Sequence, residues 1–241
     1  MKPVNSYTIW FSQRTGSTLL YKALESTRVA GIPREWLTEP DPATFSFQDI
    51  QQMWRNGTTP NGMFGLKISP YKLNDWLQAF QRELQLPAGL SGPQIWEAAF
   101  PGSKHIFMTR RNKVRLAVSW WRAIVSGEWH REHGSAPHRE EIADKYSFDA
   151  INHLLVECML REAAMEAFFA EERIVPMTIV YEDFILKYED TVMDVLKFLN
   201  LPTESVQVAA PFFDPIADDV AESWVQRFRL ERQEGWQNIA W

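Results

Sequence analysis

A run of small, hydroxyl-bearing residues near the N-terminus has the composition of a phosphate-binding loop. It reads Ser12-Gln13-Arg14-Thr15-Gly16-Ser17-Thr18 and lies between an apolar segment and a segment whose apolar residues have helical spacing. In a strand–loop–helix unit, the N–H groups of the loop and of the first helical turn converge on an anion. Gly16 allows close backbone approach and Arg14 adds a charged donor. A simple helix cap would also explain the hydroxyls, but the flanking pattern and Arg14 favour a phosphate site.

This loop is not a Walker A loop. The Walker pattern places a lysine directly before the hydroxyl residue, whereas here Gly16 is followed immediately by Ser17 and Thr18. The arrangement that holds a γ-phosphate and its magnesium ion is therefore incomplete. We expect a nucleotide that is bound without cleavage at a γ-phosphate, and we expect no metal.

A second basic segment lies between residues 104 and 122. It contains six cationic residues and no Asp or Glu: Lys104, Arg110, Arg111, Lys113, Arg115 and Arg122. A predicted strand runs here into a predicted helix, and sheets of this class bind ligands at the carboxyl ends of their strands. We therefore expect Arg110, Arg111 and Ser119 to form a second anion site, although the sequence does not separate the two adjacent arginines. A solvated basic helix face is the preferred interpretation for Lys113 and Arg115.

Strand-like and helical segments alternate along the chain, which predicts an α/β fold. The chain is expected to form a single domain over residues 1–241, with a P-loop-like, mainly parallel sheet flanked by helices and a short C-terminal appendage after Pro211. The predicted strands are Tyr7–Phe11, Met63–Ile68, His105–Thr109 and Ile174–Tyr181. The predicted helices are Ser17–Ser26, Tyr71–Leu84, Asn112–Glu128, Phe148–Glu172 and Asp190–Leu199, and the predicted loops include Thr38–Phe47 and Leu86–Pro93.

Composition narrows the class of protein further. The chain has 241 residues, of which 45% are hydrophobic and 23% charged, as in globular proteins. Its net charge of −6 argues against a nucleic-acid partner, which needs a basic surface. No apolar run is long enough for a transmembrane segment, and the N-terminus does not have the pattern of a signal peptide. A single cysteine excludes an internal disulfide and fits a reducing compartment, so we expect a cytoplasmic protein.

With both anion sites located, the chain resembles the sulfotransferase superfamily that uses 3′-phosphoadenosine 5′-phosphosulfate (PAPS). The resemblance covers nearly the whole chain and includes the eight-residue spacing from Arg111 to Ser119. Within the superfamily the chain is most similar to the bacterial trehalose 2-sulfotransferase family. The matching segments are the phosphate loop, Gly31-Ile32-Pro33-Arg34-Glu35-Trp36, Gly65-Leu66-Lys67, Val118-Ser119-Trp120-Trp121-Arg122-Ala123, Tyr181-Glu182-Asp183-Phe184 and Ser223-Trp224-Val225-Gln226-Arg227-Phe228-Arg229.

The resemblance implies a role for each matching residue. Arg14, Thr15, Gly16, Ser17 and Thr18 would hold the 5′ end of PAPS, and Arg110, Arg111 and Ser119 would hold its 3′-phosphate. Tyr181 would contact the adenine side, and Arg227 or Arg229 would close over the nucleotide. Glu35 would be the general base. Apart from the resemblance, the chemistry of sulfuryl transfer needs cations at the reacting group, and Arg14 and Lys67 are the candidates; a surface lysine whose amine reaches solvent is the open alternative for Lys67. The expected acceptor is a hydroxyl of a carbohydrate or glycolipid. The resemblance gives a homodimer as precedent, and the residues leave the oligomeric state open.

Two other classes of protein stay open. One is a P-loop-like nucleotide kinase, which the missing Walker lysine disfavours; the other is a non-catalytic nucleotide-binding protein, which the presence of Glu35 and Lys67 disfavours. The segments 38–54 and 127–146, which would contact the acceptor, contain no motif that identifies it. The histidines at 130, 133 and 138 lie in a polar loop with no cysteine and no H-x-x-x-H helix, so we expect no metal site there.

Overall fold

Four parallel strands form the centre of the structure, a computed structural model that describes residues 2–136, 142–204, 206–214, 216 and 218–235. They are β1 (Asn5–Phe11), β2 (Met63–Ile68), β3 (Lys104–Thr109) and β4 (Met177–Val180), in the order β2-β1-β3-β4. All three neighbouring pairs are parallel. The predicted α/β class with a parallel sheet is confirmed. The next strand in the chain, β2, lies on one side of β1, and the following strand, β3, lies on the other. A crevice therefore opens outside the carboxyl end of β1.

Helices cover both faces of this sheet. They are α1 (Ser17–Ser26), α2 (Phe47–Gly57), α3 (Leu73–Glu83), α4 (Gly92–Ala99), α5 (Lys113–Ser126), α6 (Phe148–Glu171), α7 (Tyr181–Phe184), α8 (Tyr188–Phe198) and α9 (Asp219–Gln233). The predicted helices at α1, α3, α5, α6 and α8 are confirmed to within two residues at either end. Strand β4 is shorter than predicted at both ends: it begins at Met177 instead of Ile174, and Tyr181 begins a helix instead of ending the strand.

Four of the described helices are absent from the sequence-based prediction, namely α2, α4, α7 and α9, and two of them have recognisable N-terminal signals. Helix α2 begins after Ser46 and α4 after Ser91, each with a capping box in which the serine and the residue three positions later exchange hydrogen bonds. The prediction of a mere appendage after Pro211 is wrong. Helix α9 buries Trp224, Val225 and Phe228 against α5 and α6, because these residues form one apolar stripe at helical spacing.

The two faces of the sheet bury different cores. One face is aromatic: Trp10 packs against Trp96 and Phe168 at ring-centroid distances of 5.0 and 4.7 Å. The other face is mainly aliphatic and packs Ile9 and Met108 under α1 and α8. Every residue of β2 and all but the first of β1 are buried, as expected for central parallel strands covered on both sides.

An irregular segment, Gly31 to Leu37, lies along the free edge of β2 and positions Glu35. Arg34 forms a parallel bridge with Leu66, and the Lys67 N–H donates to the Arg34 carbonyl at 3.0 Å. Gly31 has a φ of +68°, and a Cβ placed on it would lie 2.6 Å from the backbone nitrogen of Gly65. Only glycine fits this approach, so Gly31 fixes how closely the segment follows the sheet.

We expect Gly31→Ala to destabilise the fold more than Gly89→Ala does. Gly89 shares a positive φ, +85°, but a Cβ there would meet nothing within 4 Å. The control therefore contains only the backbone strain of about 1–2 kcal/mol, while Gly31→Ala adds a backbone clash and is expected to cost at least about 3 kcal/mol. Urea unfolding of both variants measures the difference. Equal losses would show that the edge segment shifts freely.

His105 is a buried neutral histidine in the aromatic core. The Trp10 indole N–H donates to its Nδ1 at 2.9 Å, so this nitrogen carries no proton. Burial lowers the pKa of His105 to about 4. The unfolded chain, with a histidine pKa near 6.5, therefore binds more protons than the native state between about pH 6.5 and pH 4. The stabilisation is fully present above that window and is lost as the pH falls through it.

We accordingly expect the titration of His105 to lower the unfolding free energy by about 2 kcal/mol as the pH falls from 7 to 5. His105→Asn keeps an acceptor near the Nδ1 position and cannot titrate in this range. Between pH 7 and pH 5 the unfolding free energy of His105→Asn is expected to fall less than that of the wild type, by that amount. Identical slopes would mean that the native ring protonates normally.

Candidate active site

The phosphate loop connects β1 to α1 and leaves the start of α1 without a side-chain cap. Thr15 Oγ1 donates to the Ser12 carbonyl at 2.8 Å, which closes the loop on itself. Arg14 and Gly16 have positive φ values of +66° and +82°. No side chain caps the first turn after Gly16. Its free N–H groups and the positive end of the helix dipole therefore favour an anion.

A cavity of about 470 Å³ lies against this first turn and against α5. Among the predicted site residues it is lined by Arg14, Gly16, Ser17, Thr18, Arg110, Ser119 and Tyr181. Tyr181 forms a wall next to the loop: a Cβ on Gly16 would lie 2.8 Å from its ring. The absence of a side chain at Gly16 thus lets the tyrosine ring and the phosphate loop share one cavity.

Arg14 lines the cavity, and two hydrogen bonds hold its guanidinium in place. Its Nε donates to Ser119 Oγ at 3.0 Å, and its Nη1 donates to the Trp129 carbonyl. Burial and the nearby Arg110 lower the pKa of Arg14 to about 10, so it stays charged at neutral pH. Arg14 is half-buried, and among the described residues no carboxylate is hydrogen-bonded to it, so it is suited to a negatively charged ligand.

Arg110 is the second cation of the cavity. Its guanidinium lies 4.7 Å from the centroid of the Tyr181 ring, and burial lowers its pKa. Its Nε is buried and has no hydrogen-bond partner among the described residues, because the nearest Glu182 oxygen is 3.6 Å away. A buried donor left unsatisfied is costly. An anion in the cavity is the kind of partner it lacks.

Six predicted residues lie outside the lining of this cavity: Thr15, Glu35, Lys67, Arg111, Arg227 and Arg229. Arg111 is 59% exposed and forms an ion pair with Asp183. Arg227 is exposed, donates to Glu231 at 2.7 Å and lies 4.0 Å from the Tyr146 ring centroid. Arg229 is also absent from the lining, and so is Thr15, whose hydroxyl serves the loop itself. The structure therefore separates the adjacent arginines, with Arg110 at the cavity and Arg111 in solvent.

Lys67 and Glu35 meet at the edge of the same loop. The Lys67 side chain is only 3% exposed, and its Nζ donates to Thr18 Oγ1 at 3.0 Å and lies 2.8 Å from Glu35 Oε1. Burial lowers the pKa of Lys67, and Glu35 opposes that shift. The carboxylate is 38% exposed and also accepts from Thr38 at 3.2 Å. One buried amine thus connects the phosphate loop to a solvent-accessible carboxylate.

Part of the cavity wall comes from a pair of segments that the sequence gives no reason to join. Residues 129–134 and 212–214, here called the strap, are linked by backbone hydrogen bonds of 2.9 Å from His133 to Phe212 and from Asp214 to Arg131. His130 packs on Phe213 with ring centroids 4.9 Å apart. This pairing spans about eighty residues of chain and has no local signal. The neighbouring His138 lies outside the described residues.

An arginine–carboxylate network links the strap to α5 and to the start of α9. Arg122 is buried and donates to Asp218 at 2.8 Å and to Glu128 at 3.1 Å. Glu128 also accepts from Arg131 at 2.8 Å, and Asp218 caps α9. The charge of Arg122 is therefore compensated within the protein, unlike that of Arg14. Arg115 lines the cavity as well, but it is paired with Glu222 at 2.5 Å.

Comparison with known proteins assigns the family. Residues 6–231 match the family model described as Stf0 sulphotransferase, and the chain belongs to that family. The trehalose 2-sulfotransferase of Mycobacterium tuberculosis is 30% identical, with 95% of this chain and 96% of that protein covered. The trehalose 2-sulfotransferase of Mycolicibacterium smegmatis is 28% identical with the same coverage. This chain is thus a member of a sulfotransferase family, as the resemblance in its motifs indicated.

A solved structure supports the fold. A sulfotransferase from Alicyclobacillus acidocaldarius superposes with a TM-score of 0.51 at 15% identity, covering 94% of this chain and 92% of that one. Within the described ranges, no group of three or more His, Cys, Asp or Glu side chains could hold a metal ion. Across the same part of the chain, no helix has the length and apolar character to span a membrane.

Proposed function

We propose that this protein transfers a sulfuryl group from PAPS to a hydroxyl of a carbohydrate or glycolipid. The observation that carries the proposal is the contact of Lys67 with both Thr18 and Glu35, because it places a carboxylate beside a phosphate loop. A transferase of this kind needs an anion site for the donor and a proton acceptor next to it. The family membership supplies the reaction class, and the two curated relatives named for trehalose supply the acceptor class.

Two separate cationic regions of the cavity suit a donor that is charged at both ends. The uncapped first turn of α1 and Arg14 would receive the 5′-phosphosulfate. Arg110 and Ser119 would receive the 3′-phosphate, and Tyr181 would pack near the adenine. The unsatisfied Nε of Arg110 supports this assignment, because a phosphate oxygen would complete its hydrogen bonding.

Glu35 is proposed as the general base. An acceptor hydroxyl would attack sulfur in line with the phosphate leaving group, so that the new O–S bond forms as the old one breaks. The hydroxyl proton would pass to the Glu35 carboxylate. Lys67 and Arg14 would offset the charge that develops on the leaving phosphate oxygen, which is the electrostatic role that fixed cations perform in phosphoryl transfer.

The nucleotide provides the first test. Adenosine 3′,5′-bisphosphate is expected to raise the melting temperature without magnesium, because a ligand that binds the native state stabilises it. Arg110→Ala is expected to weaken this binding by about 1.5–3 kcal/mol, the range for hydrogen bonds to charged groups. Arg111→Ala is the matched control and is expected to change it little. The loss in Arg110→Ala should be smaller for adenosine 5′-phosphosulfate, which has no 3′-phosphate.

Two outcomes of these melting and binding measurements contradict the assignment. A larger loss of bisphosphate affinity in Arg111→Ala than in Arg110→Ala would assign the 3′-phosphate to the exposed Arg111 instead of Arg110. Stabilisation by ATP with magnesium, and none by the bisphosphate, would favour a kinase instead of a sulfotransferase.

Glu35→Gln tests the base. Glutamine keeps the shape of the side chain and a hydrogen bond from Lys67 but removes the basicity. Transfer from labelled PAPS to trehalose is expected to fall by about 10²–10⁴, the usual contribution of general base catalysis. Affinity for adenosine 3′,5′-bisphosphate should stay near the wild-type value. Turnover close to wild type would exclude Glu35 as the base, and a matching loss of nucleotide affinity would make it a structural residue.

A further inference from the structure

A second polar and aromatic cluster adjoins the site and takes no part in the proposed donor binding. It is centred on Arg161 of α6 and comprises Gln13, Ser69, Tyr71, Trp120, Glu157 and Arg161, here called the Arg161 cluster. Arg161 Nη1 donates to Gln13 Oε1 at 2.6 Å and to Ser69 Oγ at 2.9 Å. Its guanidinium lies 5.0 Å from the Trp120 ring centroid and 5.6 Å from that of Tyr71.

Three contacts of Arg161 lie within two residues of the candidate active site in the sequence. Gln13 directly precedes Arg14, and Trp120 directly follows Ser119. Ser69 has extended backbone and lies two residues after Lys67, a separation of about 7 Å. The Arg161 cluster therefore borders the reacting centre at the carboxyl ends of β1 and β2. None of its members lines the nucleotide cavity.

The charge of this cluster differs from that of the nucleotide cavity. Arg161 Nε donates to Glu157 Oε2 at 3.1 Å, so its charge is compensated by a carboxylate. Arg14 in the cavity has no such hydrogen-bonded partner among the described residues. A compensated ion pair attracts an anion weakly, but it offers both donors and acceptors. Sugar hydroxyls, each of which donates and accepts, match this mixture.

Tyr71 supplies the apolar part of such a site. It is 53% exposed although it lies in the short turn that directly follows β2, and it neighbours Lys72, whose ammonium is 5.7 Å from its ring centroid. A half-exposed aromatic side chain beside hydrogen-bonding groups is suited to packing on the C–H face of a pyranose. A neutral sugar of that kind does not require an unpaired cation in its binding site. Trp120 is 7% exposed and serves as backing for Arg161.

We propose that the Arg161 cluster is the subsite for a neutral sugar ring of the acceptor, with Tyr71 as its platform and Arg161 as its hydrogen-bonding edge. This inference rests on the proposed function and adds to it the part of the chain that selects the acceptor. Arg161 also bonds the phosphate loop through Gln13, so it connects the acceptor side to the donor side. Tyr71 makes no such contact and is the cleaner position for a test.

The test measures initial rates of transfer from labelled PAPS to trehalose, glucose and 4-nitrophenol, together with the affinity for adenosine 3′,5′-bisphosphate. Tyr71→Ala is expected to raise the KM for the sugar roughly two- to tenfold, the range for a lost aromatic contact. Tyr71→Phe should keep the wild-type KM, because the ring remains. Val175→Ala removes another exposed apolar side chain, before the amino end of β4, and serves as the control. Nucleotide affinity should not change in any of these three variants.

Arg161→Lys gives an independent measurement, because lysine keeps the charge but loses the planar fork of donors. It should raise the KM for the sugar by a larger factor than the KM for 4-nitrophenol. An unaltered sugar KM in both Tyr71→Ala and Arg161→Lys, or an equal loss of nucleotide affinity, would overturn the subsite. Transfer to 4-nitrophenol but to neither sugar would overturn it while the sulfotransferase function stands. Failure of the wild type to transfer to any acceptor would overturn the proposed function itself.

Discussion

The buried amine of Lys67 is the interaction on which the geometry of the site depends. Removing an ammonium group from water is costly unless it finds partners, and Lys67 finds two: the hydroxyl of Thr18 and the carboxylate of Glu35. The rings of Phe11 and Tyr21 enclose it at 4.8 and 5.3 Å. Because Thr18 belongs to α1 and Glu35 to the edge segment, this one amine fixes the distance between two parts of the chain.

The parallel pairing of β1 and β2 makes that contact available. Ile9 and Lys67 are register partners, so the strands end together and their following residues meet at one edge of the sheet. The strand order then reverses at β1, which leaves space outside its carboxyl end for the phosphate loop and the cavity. Gly31 completes the arrangement because its lack of a side chain lets the Glu35 segment follow β2 closely.

Carboxylate partners distinguish the arginines that build the structure from those that face a ligand. Arg122 is buried between Glu128 and Asp218 and holds the strap and α9 in place. Arg14 instead bonds a hydroxyl and a carbonyl, and the Arg110 Nε has no hydrogen bond within the described part of the chain. Within the described part of the chain, an acidic protein thus presents at this cavity one arginine that no carboxylate hydrogen-bonds, Arg14, and a second, Arg110, whose Glu182 partner is 3.6 Å away. The cause is local pairing, which the net charge of −6 does not reveal.

The sequence by itself determined the elements whose signals are local. Periodicity and turn residues predicted four strands and five helices, and the spacing of hydroxyls, glycine and arginine predicted the phosphate loop. Capping boxes at Ser46 and Ser91 would also have predicted α2 and α4. The tertiary structure alone decided which adjacent arginine faces the cavity, that Lys67 is buried against Glu35, and that the strap pairs across about eighty residues. These outcomes depend on which groups desolvate one another after the elements pack, and residues distant in the chain carry no local mark of that contact.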